Sequence, residues 1–344
     1  MRARVVVCTV GVIVGLCVGG LAQGPREMPP AWPYGMPELP PGVVPEQVPA
    51  QRTPPFRPPA PPDPDAPPPV LLQAEGSSLQ FTRQQVGNNY GPADWFPDDH
   101  PPMPDVVARG KPNQVRACAL CHLSDGRGRP ENAPLQGLPR EYIVQQLRDF
   151  QQGLRRSADP RKANTGEMEN IVKALTEEEI QAVATYYSSI EVPKYIRVVE
   201  TDTIPAMRIQ GEIYFPLDDG GQEPLGVRII ETPEDVEQTR LRNPRSGFIA
   251  YVPVGSVARG EALATTGGNG RTIACATCHG PDLRGLGPIP NIAGRSPSYL
   301  ARQMYDIKLG TRKGTMAAMM TPVVANLTDS EIVDVIAYVS SLAP

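Results

Sequence analysis

The chain has 344 residues, enough for two modest domains with extra segments, and carries 33 basic against 37 acidic side chains, a net charge of −4. That mildly acidic balance excludes a nucleic-acid binder that works through a basic surface. Only 6% of residues are aromatic, thin for two cores, so bound apolar groups would have to supply part of the buried volume.

Residues 1–22 read as an export signal: Arg2 and Arg4, an apolar run from Val5 to Leu16, then Gly20-Leu21-Ala22 before Gln23. Cleavage is expected after Ala22. The rival is a retained anchor, because Val5 to Ala22 is just long enough to span a membrane. A lipidated Cys17 is the weaker third reading, since Leu16 stands where a small residue is wanted. All three export the rest of the chain, to the periplasm in a bacterium. Residues 23–77 follow as a proline-rich tether, with 19 prolines among residues 25–70. Such a density permits neither helix nor central strand and gives an extended, poorly packed, disordered spacer. A ligand for a proline-binding domain is the less suitable reading.

Cys118-Ala119-Leu120-Cys121-His122 comes next, and the pattern returns as Cys275-Ala276-Thr277-Cys278-His279. C-x-x-C-H is the attachment pattern of a c-type haem. Two thiols three positions apart can add to two vinyl groups of one macrocycle, and the histidine is then held beneath the ring to bind iron. A redox dithiol would want a βαβ setting that neither motif has, and zinc would need the two motifs to converge. Two covalent haem c groups are therefore expected, on Cys118, Cys121, Cys275 and Cys278. Cys8 and Cys17 lie in the export signal, which leaves no thiol for disulfides.

A shift of 157 residues superposes the motifs and brings further identities with it. Gly137 meets Gly294, Tyr142 meets Tyr299, Gln146 meets Gln303, and Asp149 meets Asp306. Gly153 meets Gly310, Arg155 meets Arg312, and upstream Val107-Ala108-Arg109-Gly110 recurs as Val257-Ala258-Arg259-Gly260. This is an internal duplication. In each copy apolar spacing predicts a helix, through Tyr142, Leu147 and Phe150 or Tyr299, Met304 and Ile307, ended at Gly153 or Gly310. Ser296-Pro297 is a start signal for the second of these. The last helix opens with a capping box, Thr176 with Glu179 and Thr328 with Glu331. Between the copies, alternation over Met207–Phe215, then Asp219-Gly220-Gly221, then Leu225–Ile230 predicts a β-hairpin.

Each copy resembles a class I cytochrome c domain, and the pair resembles the tandem di-haem cytochromes c of the bacterial periplasm, over roughly 104–190 and 255–342. The resemblance implies a mainly α protein. Its expected parts are a first cytochrome c domain at 78–195, a linker with the hairpin at 196–246, and a second domain at 247–344. The long linker departs from the family. The resemblance further implies His122 and His279 as proximal iron ligands and methionine as the distal one. Counting back seven from Leu175 and Leu327 gives Met168 and Met320, with Met316 and Met319 as near competitors for the latter. Family members orient the histidine through a proline carbonyl about a dozen residues on, which Pro134 and Pro290 fit. His100, within a strap from Trp95 to Pro102, is the one histidine outside the motifs. The strap is expected on the surface, over the first haem, and a ligand role for His100 is the weaker reading.

The expected function is single-electron transfer between redox proteins such as a dehydrogenase, a cytochrome complex or a terminal oxidase, with no catalytic residues of its own. The alternatives are a cytochrome subunit of a dehydrogenase or oxidase complex and, less favoured, a di-haem peroxidase. Membrane association would come through the N-terminus.

Overall fold

A computed structural model describes residues 28–43, 47–48 and 68–344. The export signal lies outside these residues. No helix among the described residues is long and apolar enough to cross a membrane.

A short N-terminal subdomain pairs β1 (Leu71–Leu72) with β2 (Phe81–Thr82), followed by α1 (Arg83–Val86). The first haem domain holds α2 (Asp105–Ala108), α3 (Cys118–His122), α4 (Arg140–Gln151), α5 (Ala163–Lys173) and α6 (Glu177–Ser188). Its core joins Val107, Ile143, Leu147, Phe150, Val172, Ile180, Val183 and Tyr187, the apolar faces of α4, α5 and α6 turned inward. The capping box of Thr176 and Glu179 forms as the sequence requires.

The connecting segment is larger than one hairpin. It holds β3 (Ile196–Glu200), β4 (Thr203–Pro205), β5 (Met207–Gln210), β6 (Ile213–Pro216), β7 (Gln222–Pro224), β8 (Ile230–Pro233), α7 (Val236–Arg240) and β9 (Phe248–Val252). β5 pairs with β6, β4 with β7, and a three-stranded sheet runs in the order β3-β9-β8, its first pair parallel and its second antiparallel. The expected strand over Met207–Phe215 is thus broken in its middle. Gly211 and Glu212 both adopt positive φ (58° and 66°) and make the two-residue hairpin turn. Asp219-Gly220-Gly221 instead closes the wider β4–β7 pair.

The second haem domain holds α8 (Ser256–Thr266), α9 (Ala276–His279), α10 (Pro297–Lys308), α11 (Thr321–Val324) and α12 (Asp329–Ser341). Ser296 caps α10 through the Tyr299 N–H with Pro297 in its first turn, and Thr328 with Glu331 forms the second capping box. The repeated Val-Ala-Arg-Gly serves two different ends. Gly260 lies inside α8 where a Cβ would fall 1.9 Å from the Asp334 carbonyl oxygen, so it sets the close crossing of α8 on α12. Gly110 follows the end of α2 with φ 63°.

The connecting sheet shares one core with the second haem domain: Ile196, Ile204, Ile229, Ile230 and Phe248 pack with Tyr305, Ile332 and Ile336. The expectation of an unpacked proline tether fails over residues 28–36, while residues 37–43 are mostly exposed. Trp32–Tyr34 form a 3-10 helix, buried within that same core, and Tyr34 is wholly inaccessible to solvent. The Tyr34 hydroxyl donates to Asp306 Oδ1 at 2.8 Å, and Arg302 Nη1 donates to the Pro33 carbonyl at 2.7 Å. Proline density prevents regular structure, but aromatic side chains set between prolines still have a groove to fill.

Candidate functional site

The turn that follows each C-x-x-C-H helix aims the histidine. His122 Nδ1 lies 2.8 Å from the Ala133 carbonyl oxygen and His279 Nδ1 lies 2.8 Å from the Pro290 carbonyl oxygen, both eleven residues downstream. Pro290 is the residue that the spacing suggested for His279. Pro134 is corrected to Ala133, the residue that the 157-residue shift pairs with Pro290, while the Pro134 carbonyl accepts from Arg295 Nη1 at 3.3 Å. With Nδ1 held by a carbonyl, each ring keeps Nε2 for another partner, the arrangement that fixes a ligating imidazole. Burial also pushes the pKa of both imidazoles down, against the raising pull of their carbonyl partners.

Each motif opens onto its own cavity. The first is walled by Cys118, Cys121, His122 and Met168, with Leu138, Ile143, Leu147, Phe150, Val172 and Tyr187 behind them. The second is walled by Cys275, Cys278, His279, Met316, Met319 and Met320, with Ile292, Leu300, Ile307, Val323 and Val339. Two thiols, an imidazole and a thioether facing one apolar cavity, twice over, fit a covalently held haem with histidine and methionine on its faces. The rival readings do not fit. The four cysteines are unpaired and divided between two cavities, and no group of three or more His, Cys, Asp or Glu among the described residues could hold a metal ion. Burial pushes the Cys118 thiol up to about 12 and Cys275 to about 11, the reverse of a reactive dithiol.

The methionines differ in setting. Met168 sits on α5 against the first core. Met320 ends a 3-10 helix (Ala317–Met320) and packs with Ile307, Ala317 and Val324, while Met319 is 53% exposed. His100 joins neither cavity. Its Nε2 lies 3.1 Å from Asp94 Oδ2 and its ring stands edge-on to Tyr186. The strap around it packs away from the first cavity: Trp95 Nε1 donates to the Leu241 carbonyl at 2.7 Å, and Trp95 and Phe96 form a small core with Ala74, Val86 and Leu241.

Sequence reasoning found the repeat of Tyr142, Gln146 and Arg155 as Tyr299, Gln303 and Arg312 but not what the six residues do together. They meet between the two cavities. Arg155 donates to Gln146 Oε1 (3.1 Å), to the Tyr299 hydroxyl (3.2 Å) and to Gln303 Oε1 (3.0 Å). Arg312 returns the pattern to Gln303 Oε1 (2.9 Å), the Tyr142 hydroxyl (2.8 Å) and Gln146 Oε1 (2.8 Å). Backbone bonds on either side, Arg156 N–H to Thr311 O and Lys313 N–H to Leu154 O, complete a local two-fold relation. Burial acts to raise the Tyr299 hydroxyl, but the guanidinium groups of Arg155 and Arg312 hold it below its usual value. Leu138, Tyr142, Tyr299 and Gln303 wall both cavities at once. A charged residue repeated at the shift, beside the predicted haem helix, was the signal available.

The cytochrome c family pattern matches residues 107–191 and 257–343, half of the chain. The chain is 27% identical over 225 residues to the thiosulfate dehydrogenase electron acceptor of Thiomonas intermedia, covering 64% of this chain and 76% of that protein. It is 43% identical over 83 residues to cytochrome c-554(548) of Halomonas halodenitrificans, covering 24% of this chain and 96% of that one. With cytochrome c4 of Azotobacter vinelandii the identity is 37% over 94 residues, 25% of this chain and 43% of the other. The chain belongs to the cytochrome c family: two such domains in tandem, each holding one covalent haem c, that together transfer single electrons.

Proposed function

We propose that this chain takes single electrons from a periplasmic dehydrogenase, of the kind that oxidises reduced sulfur compounds, and relays them between its two haems to a further redox protein. The observation that carries the relay is the pair of cavities sharing a wall of Tyr142, Tyr299, Leu138 and Gln303, braced by Arg155 and Arg312. Similarity to a thiosulfate dehydrogenase electron acceptor supports the choice of donor.

Cys118 and Cys121 would hold the first haem by thioether bonds, with His122 and Met168 as the residues offered to its iron. Cys275 and Cys278 would hold the second, with His279 and Met320. When bound, a haem supplies an iron that cycles between the ferric and ferrous states. The chain's own residues set the terms of that cycle. A neutral thioether favours the ferrous state and raises the potential. The carbonyls of Ala133 and Pro290 fix the imidazoles. The walls are mainly apolar in the second cavity, whereas charged side chains such as Arg155, Lys162 and Glu167 join the apolar ones in the first. Residues 1–22, cleaved or kept, deliver the protein to the periplasm and would tether it there if retained.

The test is to mix oxidised holoprotein with a thiosulfate dehydrogenase and thiosulfate and to follow both haems. Reduction of both, dependent on the dehydrogenase, is expected. Absence of dehydrogenase-dependent reduction overturns the choice of donor, and rapid turnover of peroxide by the reduced protein with one iron five-coordinate overturns the carrier reading.

A further inference from the structure

The two haem cavities have mouths of opposite character, built from the same two positions of the repeat. Two residues before the first motif cysteine stands Arg116 in the first domain and Ile273 in the second. Just before the methionine of each cavity stands Glu167 in the first and Met319 in the second. All four line their cavities. In the first domain the pair is ionic: Arg116 Nε lies 3.5 Å from Glu167 Oε1, both side chains largely covered. In the second it is apolar and open, with Ile273 43% and Met319 53% exposed.

The connecting segment adds to the difference. Arg242 donates to the Leu120 carbonyl inside the first motif, and Arg127 just beyond it donates to the Ser246 carbonyl at 3.0 Å. Leu120 is buried beneath this cover, and Ala119 is buried in the first domain's own core. In the second motif, Ala276 is only half-buried and Thr277 is exposed, and Leu286 nearby is 63% exposed. Isolated apolar residues on a surface are ordinary, but two that line a cofactor cavity, with a third bridged to the lining residue Ile289, are not.

The exposed cations next in sequence to that mouth's lining are Arg284 and Lys313, with Arg271 already neutralised by Glu331. Arg271, Arg284 and Lys313 each fall within four residues of Ile273, Pro288 or Met316, which line it. Arg271 is held bidentately by Glu331, at 2.8 and 3.1 Å. Arg284 and Lys313 are exposed, and Asp282 accepts from the Arg284 N–H at 3.2 Å.

We propose that the second haem's mouth, centred on Ile273, Met319 and Leu286 and flanked by Arg284 and Lys313, is the docking port for a redox protein with an apolar patch ringed by carboxylates. The first haem's mouth is closed to that partner by the Arg116–Glu167 pair and by the cover from the connecting segment. Electrons then pass between this partner and the first haem only by way of the second. The inference rests on the di-haem reading above and adds which haem meets the partner.

The probe is reduced flavodoxin, whose flavin edge is surrounded by acidic residues, mixed by stopped flow with the oxidised full-length holoprotein at low and high salt. Exchanging the second mouth for the first, Ile273→Arg with Met319→Glu, is expected to lower the second-order rate about tenfold. Reduction by dithionite, a small reagent that needs no docking surface, should change less than twofold, and the far-red thioether band should persist. Arg284→Glu with Lys313→Glu should lower the flavodoxin rate and weaken its fall with salt, whereas Arg116→Ala with Glu167→Ala should leave that rate unchanged or raise it. A flavodoxin rate within twofold of wild type for both second-mouth variants, or a loss confined to Arg116→Ala with Glu167→Ala, overturns the proposal. The mass of the same samples separates the two readings. Fewer than two haems in the wild type would sink the di-haem reading, while two haems with no effect at the second mouth would sink the port alone.

Discussion

At the scale of single residues, burial favours Met320 over Met319 as the proposed distal ligand of the second haem. Met320 packs on Ile307 and Val324, whereas Met319 faces solvent. Met320→Ala should therefore remove the second haem's share of the far-red thioether band, and Met319→Ala should leave it; the reverse outcome would shift the register by one residue. Counting from the capping boxes reaches a methionine in the wall of each cavity because Thr176 and Thr328 lock the starts of α6 and α12, to which Met168 and Met320 stand in constant register. Counting to a proline failed for His122 because the accepting atom is a backbone carbonyl, which Ala133 presents as well as Pro290 does. Asp306 was legible only as a repeat of Asp149. Burial raises its carboxyl to about 6, against the donors Tyr34 and the Ala158 N–H. Between pH 4 and 6 the folded state thus keeps a proton that the unfolded chain has lost, and stability from this group falls as pH rises through that window. Asp306→Asn keeps an acceptor and removes the dependence. The stability of the wild type relative to this variant should drop by on the order of 3 kcal/mol from pH 4 to pH 7 in thermal or denaturant unfolding.

At the scale of elements, the paired helices of both haem domains could be read from apolar spacing and caps, because each is a local signal. The connecting segment could not. β3 and β9 are a parallel pair from opposite ends of that segment, and no local alternation reports such a partner. The turn at Gly211-Glu212 was passed over because a glutamate at positive φ is rare, and Asp219-Gly220-Gly221 offered a more familiar turn. The docked 3-10 helix was hidden by proline content. Trp32 and Tyr34 are 4% and 0% exposed, on the same core as Tyr305 and Ile336. Trp32→Ala should cost about 3 kcal/mol or more, as other buried aromatic truncations do. It should also make the Ala31–Met36 stretch, buried in the wild type, more readily cut by a protease. Unchanged stability and unchanged proteolysis would mean that the segment is not held by its aromatic pair.

At the scale of the whole molecule, the two haem domains are joined by a polar network where an apolar seam would have been the simpler solution. Removing Arg312 would leave the Tyr142 hydroxyl short of a donor and strip donors from Gln146 and Gln303, all buried or nearly so. Arg312→Ala should therefore destabilise the protein by about 3 kcal/mol. Arg312→Lys should recover only part, because an ammonium cannot reproduce the planar fork.

The same scale reveals what the long connection between the domains amounts to. The Phe248 N–H donates to the Tyr195 carbonyl at 2.8 Å, so the point where the chain leaves the first haem domain touches the point where it returns for the second. The 52 residues between them are a closed excursion. Its length therefore says nothing about how far apart the two haems lie. A chain that stepped from Tyr195 toward Phe248 through a short turn would meet the second domain in the same place. Residues can be added to or taken from the tip of the excursion, around Asp218–Gly221, with little further loss of loop entropy. What the excursion carries, the cover over the first motif and the groove that receives Trp32, can thus vary independently of the path between the haems.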